Sequence, residues 1–215
     1  MSLPSKQSAR DLPDDLELPL ATGAPWWYWL GGRPGLDLVN TLRERWRRRV
    51  ETLVTPEDLE RWLVRAEVLT DSSDVAVTPE VLAEARALRE AIDACVTALV
   101  EGTRFPPAAV RRIDGWLKYA GVRPALALDG SGVPMLGERG EGHSPRRALG
   151  VIALDAARML GDPAERARVR VCASDTCSAR FYDRSPAGRR RWCSMRTCGN
   201  EAKARRHRAR ARSAA

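Results

Sequence analysis

Four of the five cysteines fall within 27 residues, and no other feature narrows the choice of folds so far. They read Cys172-x4-Cys177 and Cys193-x4-Cys198, two equal pairs with fifteen residues between them. Zinc takes four thiolates at the corners of a tetrahedron, and two ligands in one turn supply two corners from a single short loop. The alternatives are four unrelated thiols or a redox disulfide, and the repeated spacing argues against both. Four protein ligands leave no coordination position open, so the expected ion is one structural Zn2+ per chain. A unit this small has little core of its own. Zinc binding, worth about 10–16 kcal/mol, would supply much of its folding energy.

The flanks fit the same plan. Arg168 to Val171 alternates basic and apolar residues, as a strand entering the first cysteine knuckle would. Phe181 and Tyr182 can pack over the site. Ser185-Pro186-Ala187-Gly188 turns the chain, and Arg189-Arg190-Arg191-Trp192 returns it to Cys193. Beyond Cys198 the run GNEAKARRHRARAR reads as a helix. Knuckle, hairpin and helix around one metal make a treble clef or zinc ribbon.

Charge divides the chain in two. From Arg166 to the C-terminus fifteen Lys or Arg face three acids, a net of +12, which leaves −4 for the rest of a chain whose total is +8. A mildly acidic body with a basic tail suggests a polyanionic partner, nucleic acid being the commonest. On the terminal helix Arg205, Arg208 and Arg212 share one face, and Lys203, Arg206 and Arg210 share another. Only alanines and His207 lie between, so no apolar stripe can bury this helix. Like charges at i,i+3 and i,i+4 repel, and phosphates would neutralise them. Arg189, Arg190 and Arg191 form a second cationic group.

The preceding segment reads as mostly helical. Thr55-Pro56-Glu57-Asp58, Thr78-Pro79-Glu80, Pro106-Pro107 and Ser144-Pro145 are helix starts. Behind the second, Leu82, Ala85, Leu88, Ile92, Cys95, Val96 and Leu99 form one apolar stripe, which makes Cys95 a core residue. Between the last two helices, ALALDGSGVPML carries an Asp-Gly-Ser-Gly turn and predicts a β-hairpin. The rings from Trp26 to Trp29 are expected to cap the core, and His143 to lie in a loop. The fold class is therefore α+β: a flexible leader over 1–24, a mostly helical domain with a small hairpin over 25–162, and a zinc finger over 163–215. No apolar run approaches the roughly 20 residues of a membrane span, and the N-terminus lacks a signal-peptide core. The expectation is a cytoplasmic protein, where thiols stay reduced.

The segment CASDTCSARFYDRSPAGRRRWCSMRTCGNEAKARRHRAR resembles the CGNR zinc finger. Upstream, GLDLVNTL followed by TPEDLERWL is similar to the ABATE domain that precedes this finger in stress-induced transcription regulators of prokaryotes. The finger resemblance rests on the cysteine spacing, Phe181, Asp183, the Arg-Arg-Trp-Cys-Ser-Met run and Cys-Gly-Asn. Two positions depart from the pattern. The family's LDFVN is LDLVN here, and the arginine of CGNR is Glu201. The resemblance places the four zinc ligands on Cys172, Cys177, Cys193 and Cys198, and adds Asn200 to the candidate nucleic-acid contacts.

It also implies a DNA-binding regulator whose upstream domain senses a small-molecule effector. Asp37, Asn40, Thr41 and Glu44 would share one helical face, and the first three are candidate effector ligands. A structural hydrogen-bond cluster at a helix start is the plainer account of the same residues. The rival functions are an RNA-binding zinc ribbon and a zinc-stabilised protein-interaction module. An enzyme is not expected, since two distant histidines and the absence of a Gly-rich phosphate loop offer no catalytic grouping. The sequence leaves the oligomeric state open.

Overall fold

The computed structural model describes residues 17, 26–70, 76–121, 123–139 and 144–213. The leader expected over 1–24, apart from Glu17, and the loop position of His143 lie outside the described residues.

Seven helices and three antiparallel strand pairs follow in chain order among the described residues: α1 (Pro34–Val39), β1 (Leu42–Arg43), β2 (Val50–Glu51), α2 (Pro56–Arg65), α3 (Pro79–Glu101), α4 (Pro107–Leu117), β3 (Arg123–Leu128), β4 (Pro134–Arg139), α5 (Pro145–Gly161), α6 (Pro163–Arg166), β5 (Val169–Val171), β6 (Arg180–Tyr182) and α7 (Asn200–Ser213). A π-helical turn, Met195–Gly199, runs into α7. Helices α1 to α6 all begin on proline, whose fixed φ suits the first turn and whose missing N–H costs nothing there. Thr55, Thr78 and Ser144 cap α2, α3 and α5 as the sequence predicts. Thr55 and Asp58 form a reciprocal capping box. Gly102, at φ 67°, closes α3 in the left-handed conformation.

Helix α3 runs through the middle of the body and packs against α1, α2, α4 and α5. Leu88, Ile92, Leu149, Ile152 and Trp62 are fully buried there. Trp27 is buried and Trp29 stacks on Trp62 at 5.6 Å, so these two rings join the core as expected, while Trp26 packs on Val50 in a separate cluster and Tyr28 lies half-buried under Arg43. The hairpin also forms, with Leu126 opposite Leu136 across β3 and β4. Leu126, Leu128 and Leu136 remain exposed on it.

One expectation needs correction. Asp37, Asn40, Thr41 and Glu44 do not share a helical face, because α1 ends at Val39. Asn40 is the C-cap, Leu42–Arg43 pairs with Val50–Glu51, and Glu44 sits at φ 48°. The hydrogen bonds that could have continued the helix go elsewhere: the Thr41 carbonyl accepts from the amide and the hydroxyl of Thr52.

The finger is not tethered loosely behind the body. Val169 belongs to the body's own core, and the Tyr182 amide donates to the Gly31 carbonyl at 2.7 Å. Gly31 is confined to glycine by that close approach, since a Cβ there would lie 2.6 Å from the Asp37 amide nitrogen.

Candidate metal centre and nucleic-acid interface

Strand β5 delivers Cys172 at its end, and the amide of Cys172 donates to the Ala179 carbonyl at 2.9 Å, closing the first knuckle. Within that knuckle the Cys177 amide donates to the Ser174 carbonyl. The Ala173 amide donates to the Arg191 carbonyl and draws the returning segment alongside, which brings Cys193 in. Ser194 caps the π-helical turn that carries Cys198.

All four sulfurs are buried and lie within 4.8 Å of one another. The Cys177–Cys193 and Cys193–Cys198 separations are 3.7 and 3.8 Å. A tetrahedron with metal–sulfur bonds of about 2.3 Å has edges of about 3.8 Å, so the sulfurs already stand where zinc requires them. A disulfide needs sulfurs at about 2.05 Å, and no pair here is that close. Four thiols this close compete for protons. Hydrogen bonds from Cys177, Cys193 and Cys198 pull Cys172 down, while the bond to Cys172 pushes Cys177 and Cys193 up. A divalent ion removes that conflict by holding all four as thiolates. The centre is one structural zinc site.

The loop between the knuckles is fixed by Asp183. Its buried carboxylate accepts the amides of Ser185 and Arg190 at 2.9 and 2.8 Å. Burial works to raise this carboxyl, and the hydrogen bonds from Ser185 and Arg190 overcome it and hold it below its ordinary value. Arg190 turns inward: its guanidinium donates to the Cys193 carbonyl at 2.7 Å and lies over the Phe181 ring. Arg189 and Arg191 are exposed, the latter over Trp192.

On α7, Lys203, Arg208 and Arg210 are exposed. Asn200 donates to the Arg196 carbonyl at 3.2 Å. Arg205 bridges Asp175 in the first knuckle and Glu201 one turn back, each at 3.2 Å. The helix is therefore pinned to the zinc knuckle by one of its own cations. The side chains of Arg206 and Arg212 lie outside the described residues.

Asp37 accepts the Gly31 amide at 2.8 Å. Asn40 donates to the Arg180 carbonyl at 2.9 Å and accepts the Arg180 amide at 2.8 Å, joining α1 to β6 by two buried bonds. The Thr41 hydroxyl donates to the Leu38 carbonyl and accepts from Arg89.

Around them lies a charged network invisible in the sequence. Arg180 sits 2.7 Å from Asp93, Arg45 bridges Asp93 and Glu90, and Arg89 meets both oxygens of Glu51 at 2.7 Å. Burial presses the Arg180 guanidinium below its ordinary value, with Asp93 opposing. Trp46 adds a bond from its indole to the Asp175 carbonyl at 3.1 Å. Residues 45, 93 and 180 are far apart in the chain and carry no shared spacing, so only the fold brings them together.

The family described as "Putative stress-induced transcription regulator" (ABATE) matches residues 32–163, more than half the chain, and the CGNR zinc finger matches residues 168–211. No curated protein matches the chain.

Proposed function

The chain belongs to the ABATE family and ends in a CGNR zinc finger, and from this we propose that it is a DNA-binding transcription regulator under small-molecule control. The observation that carries the reading is the fixing of α7. An arginine-rich helix is held to the zinc knuckle through Arg205 and Asp175, while Lys203, Arg208 and Arg210 stay exposed. Arg189 and Arg191 supply further charge from the loop. In this reading those five residues meet phosphates, and Arg190, Arg205 and Asn200 hold the surface in shape. Asn40 joins body to finger through Arg180, and Asp37 holds Gly31 where its carbonyl meets Tyr182, so these two act as the coupling element rather than as the effector's own ligands, while Thr41 stays bonded within the body.

Duplex DNA is favoured over single-stranded RNA by the placement of the aromatics. Base stacking needs exposed rings. In the finger Phe181 is fully buried and Trp192 is half-buried beneath Arg191. No described helix is long and apolar enough to cross a membrane.

The test is anisotropy titration of the zinc-loaded full chain against a short labelled duplex at several salt concentrations. Neutralising about six phosphates gives a slope of log K on log salt near −5. An Arg208→Glu, Arg210→Glu double variant is expected to lower the affinity and flatten the slope by about two units. An unchanged slope removes α7 from the interface, and tighter binding of single-stranded RNA than of duplex at equal salt replaces the DNA reading. Point variants serve better than deletion of the finger, which would strip Val169 from the core and leave Asp93 without Arg180.

A further inference from the structure

Between α3, α4 and the C-terminal end of α5 lies an apolar pocket of about 230 Å³. Ile113 of α4 and Phe105, just before that helix, face Ala157 and Leu160 of α5 across it. Cys95 of α3 forms part of its wall, a free thiol completely shielded from water. Burial pushes that thiol up, so it stays neutral and serves as a soft apolar surface. One ionised side chain lines the pocket: Asp114, exposed on α4, with no described cation paired to it.

An apolar cavity of about 150 Å³ stays dry and admits benzene. The present pocket is half as large again, room for a single ring bearing a short substituent. It is too small to enclose a nucleotide. A carboxylate at the rim of an apolar hole selects a cation on the ligand and disfavours an anion.

We propose that this pocket binds a small hydrophobic amine, its ring or compact alkyl body inserted between α4 and α5 and its ammonium group held at Asp114. The proposal rests on the effector arm of the function given above and supplies that effector's site and chemical class. A route to the finger is built into the pocket's own wall. Leu160 lines the pocket with its side chain, and its carbonyl accepts from the Arg166 guanidinium at 2.7 Å. Arg166 ends α6, the segment that leads into β5 and the first zinc ligand. A ligand that moves the last turn of α5 therefore moves the base of the finger.

The experiment uses the zinc-loaded full chain without DNA and three probes of one size: 2-phenylethylamine, ethylbenzene and phenylacetate. Calorimetry or methyl-resolved NMR reads the binding. The amine is expected to bind about tenfold more tightly than ethylbenzene, with phenylacetate weakest. Asp114→Asn should bring the amine down to the level of ethylbenzene. Ala157→Phe should fill the cavity and abolish binding of both; if it fails to fold, Gly161→Leu narrows the mouth instead, where an added Cβ meets nothing within 4 Å. Absence of saturable binding by any probe overturns the proposal, as does amine binding that survives the filled cavity. A DNA titration repeated with saturating amine separates the two readings. Pocket binding with DNA affinity unchanged overturns the effector role while leaving DNA binding intact, and loss of DNA binding in every state leaves the pocket result standing.

Discussion

Replacing Asn40 by alanine tests how body and finger are joined. The side chain makes two buried hydrogen bonds to the backbone of Arg180, one donated and one accepted, at 2.9 and 2.8 Å. Alanine leaves an N–H and a C=O of β6 without partners, and each orphaned buried group costs about 1–3 kcal/mol. Asn40 is only 3% exposed, so water cannot readily replace it. The expected loss is therefore about 3–4 kcal/mol. For a chain of this length each kcal/mol lowers the melting temperature by about 2–4 °C, which gives roughly 10 °C in all. Urea and thermal unfolding of the zinc-saturated protein measure it. Asn40→Asp should fall between, because the carboxylate still accepts the Arg180 amide but confronts its carbonyl. Lys203→Ala, at an exposed site away from this contact, serves as the control. If Asn40→Ala unfolds within about 0.5 kcal/mol of the unaltered chain, the bracket is not holding the finger, and the coupling argued above loses its main element.

Three further outcomes are expected. Cys193→Ser should take the zinc content from one ion per chain to none by elemental analysis, since the Cys193 sulfur stands one tetrahedron edge, 3.7 and 3.8 Å, from two of the other ligands; full zinc retention would sink the assignment. Glu201→Arg should tighten non-specific DNA binding and steepen the salt slope by about one unit, because a carboxylate at the start of α7 opposes phosphate approach. The same change loses the Glu201–Arg205 pair, so the free protein should be no more stable; equal affinity at two salt concentrations would turn this helix start away from the nucleic acid. Asp183, with its folded carboxyl held below the ordinary value, contributes stability above about pH 4 that disappears as pH falls through the folded value. Asp183→Asn should accordingly weaken the protein at neutral pH and show a shallower acid limb, and stability–pH curves that run parallel for the two proteins would refute the role.

What could be read in the sequence was whatever local spacing encodes. Proline after Ser or Thr marked the starts of α2, α3 and α5, and the Asp129–Gly132 turn marked the β3–β4 hairpin, because caps and turns are satisfied within a few residues. The cysteine pairs were legible for the same reason, each being supplied by one turn. The Arg205 bridge to Asp175 spans thirty positions, and no pattern announced it. Nor could spacing foresee that α1 stops after six residues, since the Thr41 carbonyl is taken by Thr52, eleven positions on, and the Asn40 side chain by Arg180 of β6, 140 positions away. Arg190 looked like one more surface cation in a run of three. Its inward turn depends on the Cys193 carbonyl and the Phe181 ring, which only the folded knuckle presents.

The contact between the two parts bears on how a regulator of this build can work. A ligand shifts a conformational equilibrium only by its differential affinity for the two states, commonly about 1–3 kcal/mol. That is too little to separate finger from body, because the Asn40 bracket alone is worth about as much and the ion pairs of Arg180 with Asp93 and of Arg33 with Glu165 stand beside it. It is enough to change how β5 and the knuckle sit on α6, the four-residue turn through which the chain passes from body to finger. Signal transfer by a small displacement of an attached finger is therefore the mode this architecture permits. Such a displacement moves Arg189, Arg191 and α7 together, because zinc and the Arg205–Asp175 bridge make them one rigid piece. A shift of about 1–3 kcal/mol in DNA affinity, a factor of roughly 5 to 150, is the response expected of it.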